Sequence, residues 1–372
     1  MGKHTSVFIA PSRYVQGRDA IHEIGDHIYQ MGDRALVVGC EFGLGATREG
    51  REKSFKKNNI FQVEEVFRGE TSDAEIDRLM TVAKENHCNI MIATGGGKAI
   101  DAMKAAAANL KLPIIVVPTT ASTDAPCSAL AVIYNEDGTF NRLMRLAANP
   151  NLVLVDTSII AKAPLRFLVS GMGDALATWF EADACNQSAT LNMSGGRISA
   201  AALALARLCF DILMEYGLQA KIACENKVVT PALEKVVEAN TILSGAGFES
   251  GGVASAHALS EGLTHIEEMH SFMHGEKVAF CTLTQLVLEG RPKETLQQVF
   301  DFCHKVGLPI TLGDLNSDGI SREKLMKAAD EAALPDRNSH HHSFPVTAEM
   351  LCDAMMTVDS MGKRVKAGLP II

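Results

Sequence analysis

Short, uninterrupted apolar runs alternate with stretches of helical period along the chain up to Pro164. The runs are "RALVVG" ending at Gly39, "NIMIATGGG" ending at Gly97, "LPIIVVPTT" ending at Thr120 and "NLVLVDTS" ending at Ser158. Apolar runs of this length, bounded by glycine or proline, predict strands of a parallel sheet covered on both faces. Between them "TSDAEIDRLMTVAKENH" and "KAIDAMKAAAANL" have helical periodicity, and Ser72 stands three residues before Glu75, the spacing of a capping box. Repeated strand-helix-strand units predict a doubly wound sheet of the nucleotide-binding, Rossmann-like kind.

Beyond Pro164 the strand pattern nearly disappears. Long Ala- and Leu-rich segments take over, such as "GGRISAAALALARLCFDILMEYG" and "PALEKVVEANTILSGAGFESGG". The change of period predicts a domain boundary near residue 162, with an α/β domain of the nucleotide-binding type over 1–162 and an all-helical domain over 163–372. A length of 372 residues agrees with two cores rather than one. With 47% apolar and only 5% aromatic residues, those cores are aliphatic.

Charge and cysteine usage narrow the function classes. The net charge is -9 and no Lys/Arg block is present, which argues against a nucleic-acid partner. Nine cysteines without a C-x-x-C pair suit free thiols in a reducing compartment. No run of about 18 apolar residues appears and the N-terminus has no signal-peptide pattern, so the expectation is a cytoplasmic protein with no membrane partner. "MGKHTS" matches a myristoylation pattern, but no polybasic patch supplies a second membrane signal.

Two loops at predicted strand ends carry candidate chemistry. In "ATGGGKAIDAMK", Gly95, Gly96 and Gly97 lie between a strand and a helix, where glycine lets backbone N-H groups approach a pyrophosphate at the helix N-terminus. Lys98 adds a point charge there and Asp101 a capping or orienting group. This is neither a P-loop nor G-x-G-x-x-G, and a plain strand-helix turn reads the same way. The next strand ends in "PTTASTDAPCSALAVIY", a hydroxyl-rich loop at the position where open α/β sheets bind ligands.

In "SGMGDALATWFEADAC", Gly171 and Gly173 read as a turn and Asp174 as the start of a helix, hence an N-cap or a metal ligand. Four histidines follow in "HALSEGLTHIEEMHSFMHGEKV", a stretch that reads as two helices broken at Gly262: His257, His265, His270 and His274. A buried imidazole needs a partner, and either a hydrogen bond or a metal meets that need. Both the pair His257 and His274 and the i, i+4 pair His270 and His274 are open on spacing alone. "HEIGDH" from His22 is one residue too long for H-E-x-x-H.

Taken together, "GGGKAID", "PTTASTDAPCSALAVIY", "GMGDALATWFEA", "TPALEKVVEANTILSGAGFESGGVASAHAL" and "MHGEKVAF" resemble the glycerol dehydrogenases of the iron-containing, or group III, alcohol dehydrogenases. The resemblance runs from "PSRYVQGRDAI" to "VGLPITL". It implies a dehydroquinate synthase-like architecture with one catalytic zinc held by Asp174, His257 and His274 in a cleft between the domains. It also implies NAD contacts at Gly97, Lys98, Asp101, Thr119, Ser122, Ser128, Leu130 and Tyr134, and a polyol contact at Asp124. The implied reaction is reversible, zinc-dependent oxidation of glycerol or a similar small vicinal diol to the hydroxyketone, dihydroxyacetone in the case of glycerol. A homo-oligomer, often an octamer, is implied as well.

Two positions depart from the family pattern. Cys40 closes "VVGC" where an aspartate is usual, so the acceptor for the adenosine ribose is missing and NADP becomes an alternative cofactor, with Arg48 or Arg51 as phosphate partners or Glu41 as a substitute acid. Ala99 replaces the threonine of "GGGKT". The donor set Asp plus two His also accepts iron(II) or manganese. Rival readings are an NADP-preferring reductase of a related hydroxyketone, a dehydroquinate synthase-like lyase, which calls for more Lys and Arg than "STDAPCSAL" offers, and a non-catalytic nucleotide-binding protein.

Overall fold

The computed structural model describes residues 5–371, so the first four residues of the "MGKHTS" match lie outside the described residues. In chain order the strands are β1 (Tyr14–Gly17), β2 (Arg34–Gly39), β3 (Phe61–Val66), β4 (Ile90–Gly95), β5 (Ile114–Pro118), β6 (Leu130–Tyr134), β7 (Phe140–Arg145) and β8 (Leu152–Asp156). Interleaved with them are helices α1 (Ile24–Ile28), α2 (Glu41–Lys57), α3 (Asp73–Glu85) and α4 (Gly97–Leu110), and α5 (Thr157–Lys162) follows β8. The rest is helical: α6 (Leu165–Ser188), α7 (Ala200–Glu225), α8 (Pro231–Glu238), α9 (Ser244–Gly251), α10 (Ser255–Leu263), α11 (His274–Leu288), α12 (Lys293–Val306), α13 (Arg322–Ala332) and α14 (Ala348–Lys366).

The chain divides into two compact units. The sheet unit comprises Ile9–Leu165 and takes back the later segment Ala223–Gly245; the helical unit comprises Arg166–Ile222, the chain from Ala246 onward and the stretch ending at Phe8. The α/β unit with its parallel sheet and the helical unit are the architecture that the apolar runs and the change of period predict.

The sheet is six-stranded and parallel, in the order β1-β8-β5-β4-β2-β3. Its four inner strands are the four apolar runs, and β4, β5 and β8 are buried at every position. Alternate residues such as Val37, Ile92, Val117 and Leu154 share one core with Ile24, Ile28, Leu44 and Phe55 of α1 and α2, as the period of two dictates. The edge strands β1 (YVQG) and β3 (FQVEEV) are only half-buried and carry polar residues, so no apolar run marks them. The chain leaves β2 for β3 on one side and returns to β4 on the other. The loops after β2 and β4 therefore diverge at a topological switch point, which holds Cys40 and the glycine turn. β6 and β7 form a separate antiparallel hairpin. Ser72 caps α3 by accepting from Glu75 N-H at 3.2 Å, but the Glu75 carboxylate turns instead to Arg68 N-H and Arg78, so only half of the capping box forms.

In the helical unit α10 packs on α11 and α13, and α11 on α14. The turn expected at Gly171 and Gly173 is absent: both lie inside α6, and Asp174 stands mid-helix, not at an N-cap. Gly173 serves packing. A Cβ on Gly173 would run into the Gly275 carbonyl oxygen, and one on Gly275 into the Ser170 carbonyl oxygen, so α6 and α11 cross backbone to backbone. Arg166 of α6 grips Glu276 of α11 with two charge-assisted bonds of 2.6 and 2.7 Å beside that crossing. Gly262 likewise breaks no helix; it lies within α10, where a Cβ would strike the Ala328 carbonyl of α13.

The crossing makes a signed prediction. Gly275→Ala forces the helices apart and lowers stability by about 1–3 kcal/mol. Gly45→Ala in α2, where a Cβ meets nothing within 4 Å, raises it by about 0.5–1 kcal/mol. Urea midpoints at unchanged m-value check both.

Candidate active site

Three side chains of the helical unit converge. Asp174 comes from the third turn of α6, His257 from the first turn of α10, and His274 is the first residue of α11. Their ligand atoms all lie within 4.8 Å of one another. Asp174 Oδ1 is 3.2 Å from His274 Nε2 and 3.5 Å from His257 Nε2. Asp174 reaches this position because the glycine crossing beside it brings the N-terminus of α11 against α6. His270 is elsewhere: its Nε2 lies 2.7 Å from the Thr264 carbonyl, and both it and His265 are exposed.

Glu181, seven residues after Asp174 on α6, completes the cluster. It is 0% exposed. Its Oε1 accepts the N-H groups of Ala254 and His257 at 2.8 and 2.9 Å, which caps α10. Its Oε2 lies 2.5 Å from His257 Nδ1. That contact makes Nδ1 the donor, so that in the neutral ring the Nε2 lone pair faces Asp174 and His274, the arrangement by which an outer carboxylate orients a metal-binding imidazole.

The electrostatics call for a cation. Burial alone would push the Asp174 pKa up, but His274 and His257 outweigh it and hold the carboxyl well below its usual range. Burial alone would lower His257, but the Glu181 and Asp174 carboxylates raise it well above an ordinary histidine. With neutral imidazoles the pocket would contain two buried negative charges, an expensive state without a positive partner. One carboxylate oxygen with two imidazole nitrogens fits a divalent metal ion in donor type and number.

The second group of residues lies in the sheet unit. Gly95 ends β4 with φ of 143°, a conformation that side chains disfavour, and Gly96 is the N-cap of α4. A Cβ on Gly96 would meet nothing within 4 Å, and one on Gly97 only Thr123 Oγ1 at 4.0 Å, so the helix N-terminus is open to a ligand. Lys98 pairs with Glu70 at 2.5 Å and lies 5.8 Å over the Tyr134 ring. Thr119 N-H donates to the Gly95 carbonyl, which joins the two loops. Ser122 lies 3.3 Å from Thr120 Oγ1. Leu130 and Tyr134 mark the two ends of β6, both half-buried. Asp101 turns inward: it accepts Val132 N-H at 3.0 Å and pairs with Lys104 at 2.9 Å.

Lys104, Glu181 and Ser244 are residues that motif reading passed over. Lys104 is 1% exposed and spans the loop after β5, with Nζ 2.8 Å from the Ala125 carbonyl and 3.3 Å from both oxygens of Ser128. Ser244 donates to Asp124 Oδ2 at 2.6 Å. A charged residue inside an apolar helical run was the available signal for Lys104 in "DAMKAAAA" and for Glu181 in "TWFEADA". At the end of β2, Cys40 caps α2, its Sγ accepting Gly43 N-H at 3.4 Å. Arg48 and Arg51 both pair with Glu64, and Arg51, 1% exposed, also bonds Gln62 and Thr47.

A glycine turn at the switch point of a parallel sheet, carried in one chain with a convergent Asp-His-His set, points to the metal-dependent dehydrogenases of alcohols. Comparison with known proteins gives the family. The family model for iron-containing alcohol dehydrogenase matches residues 11–157. A glycerol dehydrogenase of Thermotoga maritima is 48% identical over 97% of this chain and 98% of its own length. A glycolaldehyde reductase of Halobacterium salinarum is 43% identical over 97% of this chain and 99% of its own. The crystal structure of glycerol dehydrogenase from Schizosaccharomyces pombe superposes with a TM-score of 0.94 at 38% identity, covering 98% of this chain and 93% of that one. The chain belongs to the iron-containing alcohol dehydrogenase family, in its glycerol dehydrogenase group. It is therefore a metal-dependent oxidoreductase of alcohols and polyols. No helix among the described residues is long and apolar enough to cross a membrane.

The buried cation in the sheet unit is open to test. Lys104→Met leaves Asp101 buried beside an apolar chain and is expected to cost about 3–5 kcal/mol, read from the denaturant midpoint. Adding Asp101→Asn recovers part of that loss.

Proposed function

We propose that this chain catalyses the reversible, NAD-dependent oxidation of glycerol, or a vicinal diol of similar size, to the hydroxyketone. A divalent ion, zinc in the first instance, is held by Asp174, His257 and His274. The observation that carries this reading is the convergence of those three donors on the buried Asp174 carboxylate, in a chain similar over nearly its whole length to glycerol dehydrogenases.

When bound, the ion supplies Lewis acidity that lowers the pKa of a substrate hydroxyl, and NAD accepts the hydride. The chain supplies orientation and charge. Glu181 holds the His257 ring with Nε2 turned toward Asp174 and His274, where Nε2 would serve as a ligand and Asp174 would contribute the anionic one. The open turn of Gly95, Gly96 and Gly97 with the N-terminus of α4 receives the pyrophosphate, and Lys98 adds its charge. Thr119, Ser122 and Ser128 offer hydroxyls to the ribose and nicotinamide half, flanked by Leu130 and Tyr134. Asp101 acts from within, holding β6 through Val132 and Lys104. Asp124 accepts a hydroxyl of the polyol, and orientation of diol and cofactor together lowers the barrier. NAD is favoured over NADP because Arg48 and Arg51, the candidate partners for a 2'-phosphate, are engaged by Glu64.

Steady-state formation of reduced cofactor on zinc-loaded protein tests this. Glycerol turnover is expected with NAD, at a kcat/KM about tenfold or more above that with NADP. A preference for NADP would overturn the cofactor assignment, and catalysis without net reduced cofactor would point to a lyase. Chelation removes turnover and zinc restores it. His257→Ala and His274→Ala each lose bound metal and turnover, whereas His270→Ala keeps both. Glu181→Gln lowers metal affinity by about 10–100-fold in competition with a chromophoric chelator.

A further inference from the structure

The loop that carries Asp124 is gripped by a helix distant in sequence. Asp124 precedes the short 3-10 turn Ala125–Cys127, a place where an aspartate ordinarily caps backbone N-H groups. Its side chain makes no cap bond. Instead Ser244 Oγ donates to Asp124 Oδ2 at 2.6 Å, and Ser244 is fully buried.

Ser244 directly follows a π-helical turn, Ala239–Leu243, set between α8 and α9 in one helical run. The same turn reaches the loop a second time, where Asn240 Nδ2 donates to the Ala121 carbonyl at 3.0 Å. On its other side Thr241 Oγ1 meets Tyr14 OH at 2.6 Å, which anchors the turn to β1. Gly245 allows the close approach: a Cβ there would meet Cys127 Cβ at 2.7 Å. A π turn carries one residue more than an α turn, so in an unbroken α-helix Ser244 would be displaced by about 100° around the axis. The register that delivers its hydroxyl to Asp124 depends on that extra residue.

We propose that Ser244 is a positioning residue for polyol recognition: it fixes the Asp124 carboxylate in the orientation that accepts a substrate hydroxyl, and the π turn sets its register. This rests on the reading of Asp124 as the polyol contact. Lys104 grips the opposite half of the loop, at Ala125 and Ser128. A defect at Ser244 therefore falls on the diol and spares the cofactor.

A double-mutant cycle on the zinc-loaded enzyme tests the assignment. Ser244→Ala raises KM for glycerol about tenfold, while kcat and KM for NAD stay within about twofold. Ser244→Cys, of similar volume and with a weak donor, gives an intermediate value. In an Asp124→Ala background, which has no acceptor for the Ser244 hydroxyl, the Ser244→Ala effect disappears. Additive effects, or an equal rise in KM for NAD, overturn the proposal while leaving the dehydrogenase reading intact. Failure of the unsubstituted protein to oxidise glycerol or any other vicinal diol overturns both.

Discussion

The backbone contact between Gly173 and Gly275 is the constraint on which the closeness of Asp174 and His274 depends. Side chains on these two residues would separate α6 from α11 by the thickness of a methyl group or more. Asp174 follows one glycine and His274 precedes the other, so the closeness of the crossing becomes the closeness of the ligands. Arg166 and Glu276 restrain the same pair of helices with charge-assisted bonds. The separation of Asp174 and His274 is thus restrained by rigid backbone, as a metal site of defined geometry would require.

Around this crossing the protein spends buried charge where an aliphatic core would be more stable. Glu181 has no access to solvent, and its two oxygens serve three donors at once, two backbone N-H groups and one imidazole. Lys104 is comparably buried in the sheet unit and serves a carboxylate, two carbonyls and a hydroxyl. Each is satisfied by several partners, the condition under which a buried ion stops being a liability. Each also holds a segment that carries candidate site residues: the start of α10 in one case, the loop after β5 in the other.

Much of this was legible in the chain. The inner strands are continuous apolar runs because both faces of a parallel sheet are covered. Edge strands β1 and β3 were not legible, since half-burial lets polar residues in and erases the signal. The glycine turn after β4 was readable from its place between strand and helix. The glycines before Asp174 were misleading: locally "SGMGD" reads as a turn, but inside a long apolar helix a glycine equally marks a close helix contact, and only the partner helix distinguishes the two. For the same reason spacing could not separate His257 from His270: His257 stands in the first turn of α10 against Glu181, and His270 is exposed in the segment between α10 and α11.

Local pattern by itself determined the sheet, the helical second half, the glycine turn and the pool of residues able to bind a metal, because these follow from periodicity, burial and side-chain chemistry within a few residues. The resemblance of whole motifs to a known family narrowed that pool to Asp174, His257 and His274. Tertiary structure alone decided the rest. It returned the segment Ala223–Gly245 to the sheet unit, placed Glu181 behind His257, and brought Ser244 to Asp124 across 120 residues of sequence. Those pairings join residues that share no local period. They are fixed by which helix faces meet, and that is a property of the packed chain.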